Sequence, residues 1–102
     1  MAGAPSFKLG PIFERQYVAA ELVEKAAIKA LMGVILQDPL GPGAVPLPPP
    51  RMPGTMSQRI DRLMIVYFVE HNDDGGHDEI NFVRYYMLSD EQMELAARAR
   101  RR

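Results

Sequence analysis

Seven of the nine prolines fall between residues 38 and 58, in DPLGPGAVPLPPPRMPGTMSQ, together with three of the eight glycines. A stretch so rich in proline lacks the backbone donors and the freedom in φ that a helix interior or a central strand needs, and it favours extended polyproline II backbone. The sequence therefore predicts a stiff linker over 38–58 that separates two folding halves. Loops of that length without structure of their own are uncommon inside compact domains.

Ahead of the linker, residues 1–10 read as an extended arm. They carry one lysine and no continuous apolar run, so they lack the pattern of a secretory signal. From Pro11 to Gln37 no proline interrupts a sequence dominated by strong helix formers. Pro11 suits a first helical position, and Asp38 is pushed out of helical geometry by Pro39. One long helix over 11–37 is expected, with Glu14, Glu21, Lys25 and Lys29 marking a wet stripe and Leu22, Ile28, Leu31 and Ile35 on the apolar side. Such a helix would be about 40 Å long, more than a globule of this size spans, so it must project, bend near Gly33 or lie on a partner.

Beyond the linker, Arg59–His71 and Ile80–Leu88 are rich in β-branched and aromatic residues, and HNDDGGHDE between them supplies turn chemistry. A two-stranded antiparallel β-hairpin is expected. A turn centred on Asp74-Gly75 sets Val69 opposite Ile80, Tyr67 opposite Phe82, Ile65 opposite Arg84 and Leu63 opposite Tyr86. A Gly75-Gly76 turn instead pairs Phe68 with Val83 and Val66 with Tyr85. In either register Leu63–Val69 is apolar on both faces, the mark of a strand covered on both sides. Ser89 and Gln92 then form a Ser-x-x-Gln capping box for a short helix from Asp90 to about Arg100, with Met93, Ala96 and Ala97 inward. The expected fold is thus α+β: a long N-terminal helix, a proline-rich linker, a hairpin and a short C-terminal helix, the last two in 59–102.

Removing arm, linker and tail leaves about 66 residues to form a core, below the size at which a small domain is comfortably stable without a staple. The chain has no cysteine, which excludes disulfides, thiolate metal sites and cysteine catalysis. The surplus apolar surface points to a small non-catalytic subunit that assembles with other chains, as in a virion or a multi-subunit complex. Its interface would comprise Leu22, Ile28, Leu31, Ile35, Ile65, Tyr67, Val69 and Phe82. The partners expected are protein subunits, in a homo- or hetero-oligomer. A net charge of −1 argues against nucleic acid as a partner, and the 11-residue apolar run 26–36, with Lys29 inside it, is too short for a membrane span. An intracellular or assembly-bound location follows.

Two local patterns suggest alternatives. Pro46-Leu47-Pro48-Pro49-Pro50-Arg51 resembles a ligand of SH3 domains, in which Pro46 and Pro49 would fill aromatic grooves and Arg51 an acidic pocket. Residues 70–79, EHNDDGGHDE, hold five acids and two histidines, so His71, Asp74, His77 and Asp78 are candidates for a metal. Their spacing fails the calcium-loop template at its twelfth position, where Asn81 stands. No resident cofactor is expected. With His71 and His77 at a loop tip and no hydroxyl nucleophile beside a base, the sequence shows no catalytic set.

Overall fold

The computed structural model describes residues 6–47, 54–71 and 78–100. Its architecture is α+β, with three helices and a five-stranded mixed sheet. Chain order is β1 (Ser6–Leu9), α1 (Pro11–Ala19), α2 (Leu22–Gln37), β2 (Val45–Pro46), β3 (Thr55–Ile60), β4 (Leu63–Glu70), β5 (Glu79–Met87) and α3 (Asp90–Arg100). The strands lie in the order β1-β5-β4-β3-β2, with β1 parallel to β5 and every other pair antiparallel.

The expected two-stranded hairpin with one long helix is therefore corrected at four places, the shortest being Val45–Pro46 of the expected linker, which form β2 against β3. Residues assigned to the arm form β1, because Phe7 and Leu9 alternate with polar Ser6 and Lys8 and seal the edge of β5. Residues assigned to the end of the linker, Thr55–Gln58, belong to β3, and a turn at Asp61–Arg62, with Asp61 at φ +52°, returns the chain into β4. The long helix breaks at Ala20, whose backbone is extended (φ −73°, ψ 151°). Neither proline nor glycine marks that break. It is set by the sheet: folding back lets α1 bury Phe13 while α2 buries Ile28, Leu31 and Ile35, one stripe at spacings of three and four. Gly33, where a bend was expected, sits within unbroken helix.

Both short helices cover the same face of the sheet. Phe13, Ile28, Leu31 and Ile35 meet Leu63, Ile65, Tyr67, Ile80, Phe82 and Tyr85 in a single core. Phe13 stacks on Phe82 with ring centroids 5.5 Å apart and meets Tyr85 edge-on at 5.9 Å. The β4–β5 register begins as the Asp74-Gly75 turn predicts, with Val69 opposite Ile80 and Tyr67 opposite Phe82. It then slips by one residue, so that Ile65 faces Tyr85 and Leu63 faces Met87. Val83 is the extra residue of a bulge, and the slip turns Tyr85 toward the helices.

The bulge also ends the reach of β1. Gly10 donates its N–H to the carbonyl of Phe82 at 2.8 Å, and a methyl group on Gly10 would stand 3.0 Å from that oxygen, so a close approach of backbone selects glycine there. Past this point the outer edge of β5 is taken over by a side chain. The Gln16 carboxamide accepts from the Tyr85 N–H at 2.9 Å and donates to the Tyr85 carbonyl at 3.0 Å, while the Tyr85 hydroxyl donates to the Gln16 carbonyl at 3.1 Å. One side chain on α1 thus stands in for a sheet neighbour.

A second polar tie holds the exit of α2. Buried Gln58 donates through its amide to the carbonyl of Asp38 at 3.0 Å and to the Tyr67 hydroxyl at 3.1 Å, and that hydroxyl donates in turn to Pro39. Burial raises the Tyr67 phenol above its ordinary pKa of 10.0, the Gln58 hydrogen bond works against the rise, and the charge of Asp38 adds to it. Tyr85 is raised also, chiefly by burial.

Two outcomes follow. Gln16→Ala should lower unfolding free energy by about 1–3 kcal/mol in urea titration, and Gln16→Glu, which sets a carboxylate against the Tyr85 carbonyl, should cost more. A phenol whose pKa is raised by folding contributes stability that is fully present below its unfolded pKa and is lost as pH climbs through the folded value. Melting temperature should accordingly hold up to about pH 10 and fall beyond it, and Tyr67→Phe should flatten that fall while lowering stability at neutral pH.

Candidate functional site

Helices α1 and α2 cover one face of the sheet, and the side chains of the other face come from all five strands. Strand alternation places Lys8 of β1, Glu79, Asn81, Arg84 and Tyr86 of β5, Met64, Val66 and Phe68 of β4, Thr55, Ser57 and Arg59 of β3, and Val45 of β2 on the side away from α1 and α2. The apolar residues run along β4, and the cations stand on the strands to either side of it. Arg84 lies 5.0 Å over the Tyr86 ring, a cation–π geometry. Two buried donors there, Arg84 Nε and Asn81 Nδ2, have no hydrogen-bond partner among the described residues. Unsatisfied buried donors are costly to a fold and cluster where a ligand completes them.

At the edge of this face Lys8 pairs with Glu79 at 2.9 Å. The hydrogen bond to Glu79, with the charges of Glu79 and then Glu70, holds the Lys8 ammonium above its ordinary pKa of 10.5 against a small opposing desolvation. At the far end α3 begins with the predicted capping box: the Ser89 N–H donates to Gln92 Oε1 at 2.9 Å and the Gln92 N–H to Ser89 Oγ at 3.2 Å. Arg62 is ion-paired with Asp90, and Arg59 reaches the Met93 sulfur at 2.8 Å. Met93 and Ala96 are half-buried, whereas Ala97 faces solvent. Between α3 and the sheet lies an open groove of about 470 Å³ whose wall includes Val45, Leu47, Met64 and Leu88.

A second concavity lies across the edge of the sheet. Phe7 and Leu9 of β1, Phe13 and Tyr17 of α1, and Lys29 and Met32 of α2 line an apolar groove of about 240 Å³. Lys25 stands 5.6 Å over the Tyr17 ring at the same place. The signal for this groove was the alternation Phe7-Lys8-Leu9, which passed as part of the arm because strand partners cannot be read from four residues.

The structure redistributes the residues expected at an interface. Ile28, Leu31, Ile35, Ile65, Tyr67 and Phe82 are fully or almost fully buried in the chain's own core, and Val69 packs against it half-buried. Leu22 stays outside at 84% exposure, next to Val18 and Val23 at the α1–α2 elbow. Pro46 is an edge residue of β2, while Pro49 and Arg51 lie outside the described residues. His71 Nδ1 contacts Asp78 at 3.2 Å beside the hairpin tip. Asp74 and His77 lie outside the described residues, and among those described no group of three His, Cys, Asp or Glu side chains converges to hold a metal. No helix among them is long and apolar enough to cross a membrane.

No protein-family model matches the sequence, and no curated protein matches it. Among solved structures, a chain of the toxin–antitoxin complex RelBE2 of Mycobacterium tuberculosis is similar in fold, with a TM-score of 0.66 and 19% identity. The likeness covers 83% of this chain and 99% of that one. It overturns the expectation of a virion-type structural subunit, and the geometry supplies the reason. The apolar surface that required neighbouring chains is mostly covered by β1, by β3 and by the folded-back helices.

The unpaired donor on Arg84 has a measurable consequence. Arg84→Met keeps the stem and removes a buried orphan Nε–H, so the gain of up to about 1–3 kcal/mol offsets a lost cation–π contact of about 1 kcal/mol. Its melting temperature should equal or exceed that of the parent chain, and a clear drop would show the guanidinium to be a structural prop.

Proposed function

We propose that this chain is the active, toxin-like member of a toxin–antitoxin pair, held in check by a protein partner and acting through the face of its sheet that α1 and α2 leave uncovered. The observation that carries this reading is the fold likeness to a chain of such a complex, spanning nearly all of that chain. Three features support it. The chain builds a core of its own around Tyr67, Phe82 and Phe13, as a protein that acts after release from its partner needs. The face away from α1 and α2 presents Arg84 and Tyr86 on β5, with Arg59 of β3 beside α3, a surface suited to gripping an anionic target. Its donors on Arg84 and Asn81 await acceptors.

This reading retains binding rather than turnover as the mode of action. The guanidinium and phenol groups stabilise charge, and the carboxylate nearest to them on β5, Glu79, is tied to Lys8. The partner is proposed as a protein and the assembly as a hetero-complex.

Induced expression of the chain in a bacterial host should arrest growth, and Arg84→Met should relieve the arrest without loss of folded protein. Sustained growth at high levels of the folded parent chain would overturn the proposal. RNA and DNA extracted from arrested cells should be intact, and cut nucleic acid would make the face catalytic instead.

A further inference from the structure

The outer edge of β1 carries no strand among the described residues. The bond from the Gly10 N–H to Phe82, with the parallel register of Leu9 on Phe82, fixes which backbone groups turn outward. Lys8 spends its N–H and C=O on β5, and Phe7 and Leu9 present theirs to the open side. Their side chains sit on the helix side of the sheet, 48% and 37% exposed, and form the near wall of the groove completed by Phe13, Tyr17 and Met32. Two free hydrogen-bonding residues beside an apolar trough are the two requirements for adding a strand.

Charge selects the strand. The chain has only three lysines, Lys8, Lys25 and Lys29, and all three stand at this edge. Lys29 lines the groove, Lys25 lies over Tyr17, and Lys8 projects from the opposite face of β1. The nine arginines supply the positive charge elsewhere. Glu79 offsets Lys8 in part, and no ion pair of Lys25 or Lys29 occurs among the described residues.

We propose that β1 is a docking edge for an extended segment of a partner protein in which apolar residues alternate with acidic ones. The partner's backbone pairs with Phe7 and Leu9, its apolar side chains fill the groove over Phe13 and Met32, and its carboxylates meet Lys8, Lys25 and Lys29. The identity of that partner as the antitoxin-like chain rests on the function proposed above, whereas the edge itself rests on geometry alone.

The probe is a capped octapeptide of alternating valine and glutamate. It should bind the full chain and slow amide exchange at Phe7 and Leu9. The valine–lysine counterpart should bind about tenfold more weakly or worse, a difference of about 1.4 kcal/mol. Methylating the peptide's amide nitrogens along one edge should abolish binding. The double variant Lys25→Glu with Lys29→Glu, at surface positions that leave the core intact, should reverse the preference for charge. Absent binding, equal binding of both peptides, indifference to N-methylation, or exchange protection away from Phe7 and Leu9 would each overturn the docking edge. Peptide binding by a chain that fails to arrest growth would sink the toxin reading and leave the edge standing. Growth arrest without peptide binding would do the reverse.

Discussion

β4 is apolar on both faces, and most of the molecule is arranged to cover it. Leu63, Ile65 and Tyr67 point at the helices, and Val66 on the opposite face is fully buried as well. A strand of this kind cannot lie at an edge or in an isolated hairpin without exposing a row of large side chains and a row of unpaired backbone groups. Strands β5 and β3 satisfy its two edges, and β1 and β2 then shield theirs. Each Å² of apolar surface that α1 and α2 withdraw from water on one side contributes about 25 cal/mol to the fold.

The same demand explains the break at Ala20. A straight helix over residues 11–37 would lay only part of its apolar stripe on a sheet of this size, and breaking it costs a few helical hydrogen bonds while letting Phe13 of α1 and Ile28, Leu31 and Ile35 of α2 all reach the core. Gln16 shows how finely the result is tuned. Where β1 ends at Leu9, the backbone of Tyr85 would be left open. The bulge at Val83 brings Tyr85 into line with a carboxamide that supplies both missing partners. Core, bulge and helix turn form one arrangement, so a change at any of them is felt at the others.

The face away from the helices follows from the same sheet. It is rigid because the opposite face is packed, and it keeps polar and charged groups where α1 and α2 do not reach, α3 meeting it only at Arg59 and the groove beside it. Arg84 and Asn81 retain unpaired donors there, a cost that a packed structural face has no reason to carry. The function and the docking edge proposed above divide the labour of the fold: one side holds the chain together, the other is assigned to a target, and the β1 edge, ringed by lysines, to a partner strand.

Much of the local structure could be read directly from the residues. Pro11 and Asp38-Pro39 bound the helical region, Ser89 and Gln92 form the box that starts α3, and the register expected from an Asp74-Gly75 turn pairs Val69 with Ile80 and Tyr67 with Phe82, as β4 and β5 do. The two-faced apolarity of β4 was equally plain, and it correctly demanded cover. What supplies that cover was not legible, because β1 is four residues long, β3 begins within a proline-rich stretch, and the helix break has no breaker residue. Each of these becomes favourable only when a distant segment lies alongside. Ile28, Leu31, Ile35, Ile65, Tyr67 and Phe82, expected at an interface, point inward for the same reason, while Leu22 stays outside. Sequence by itself determined which surfaces must be buried and where the chain can turn. Tertiary structure alone decided that the chain buries most of them itself, because pairing between segments far apart in sequence leaves no local trace, and with that it decided which face and which edge remain for other molecules.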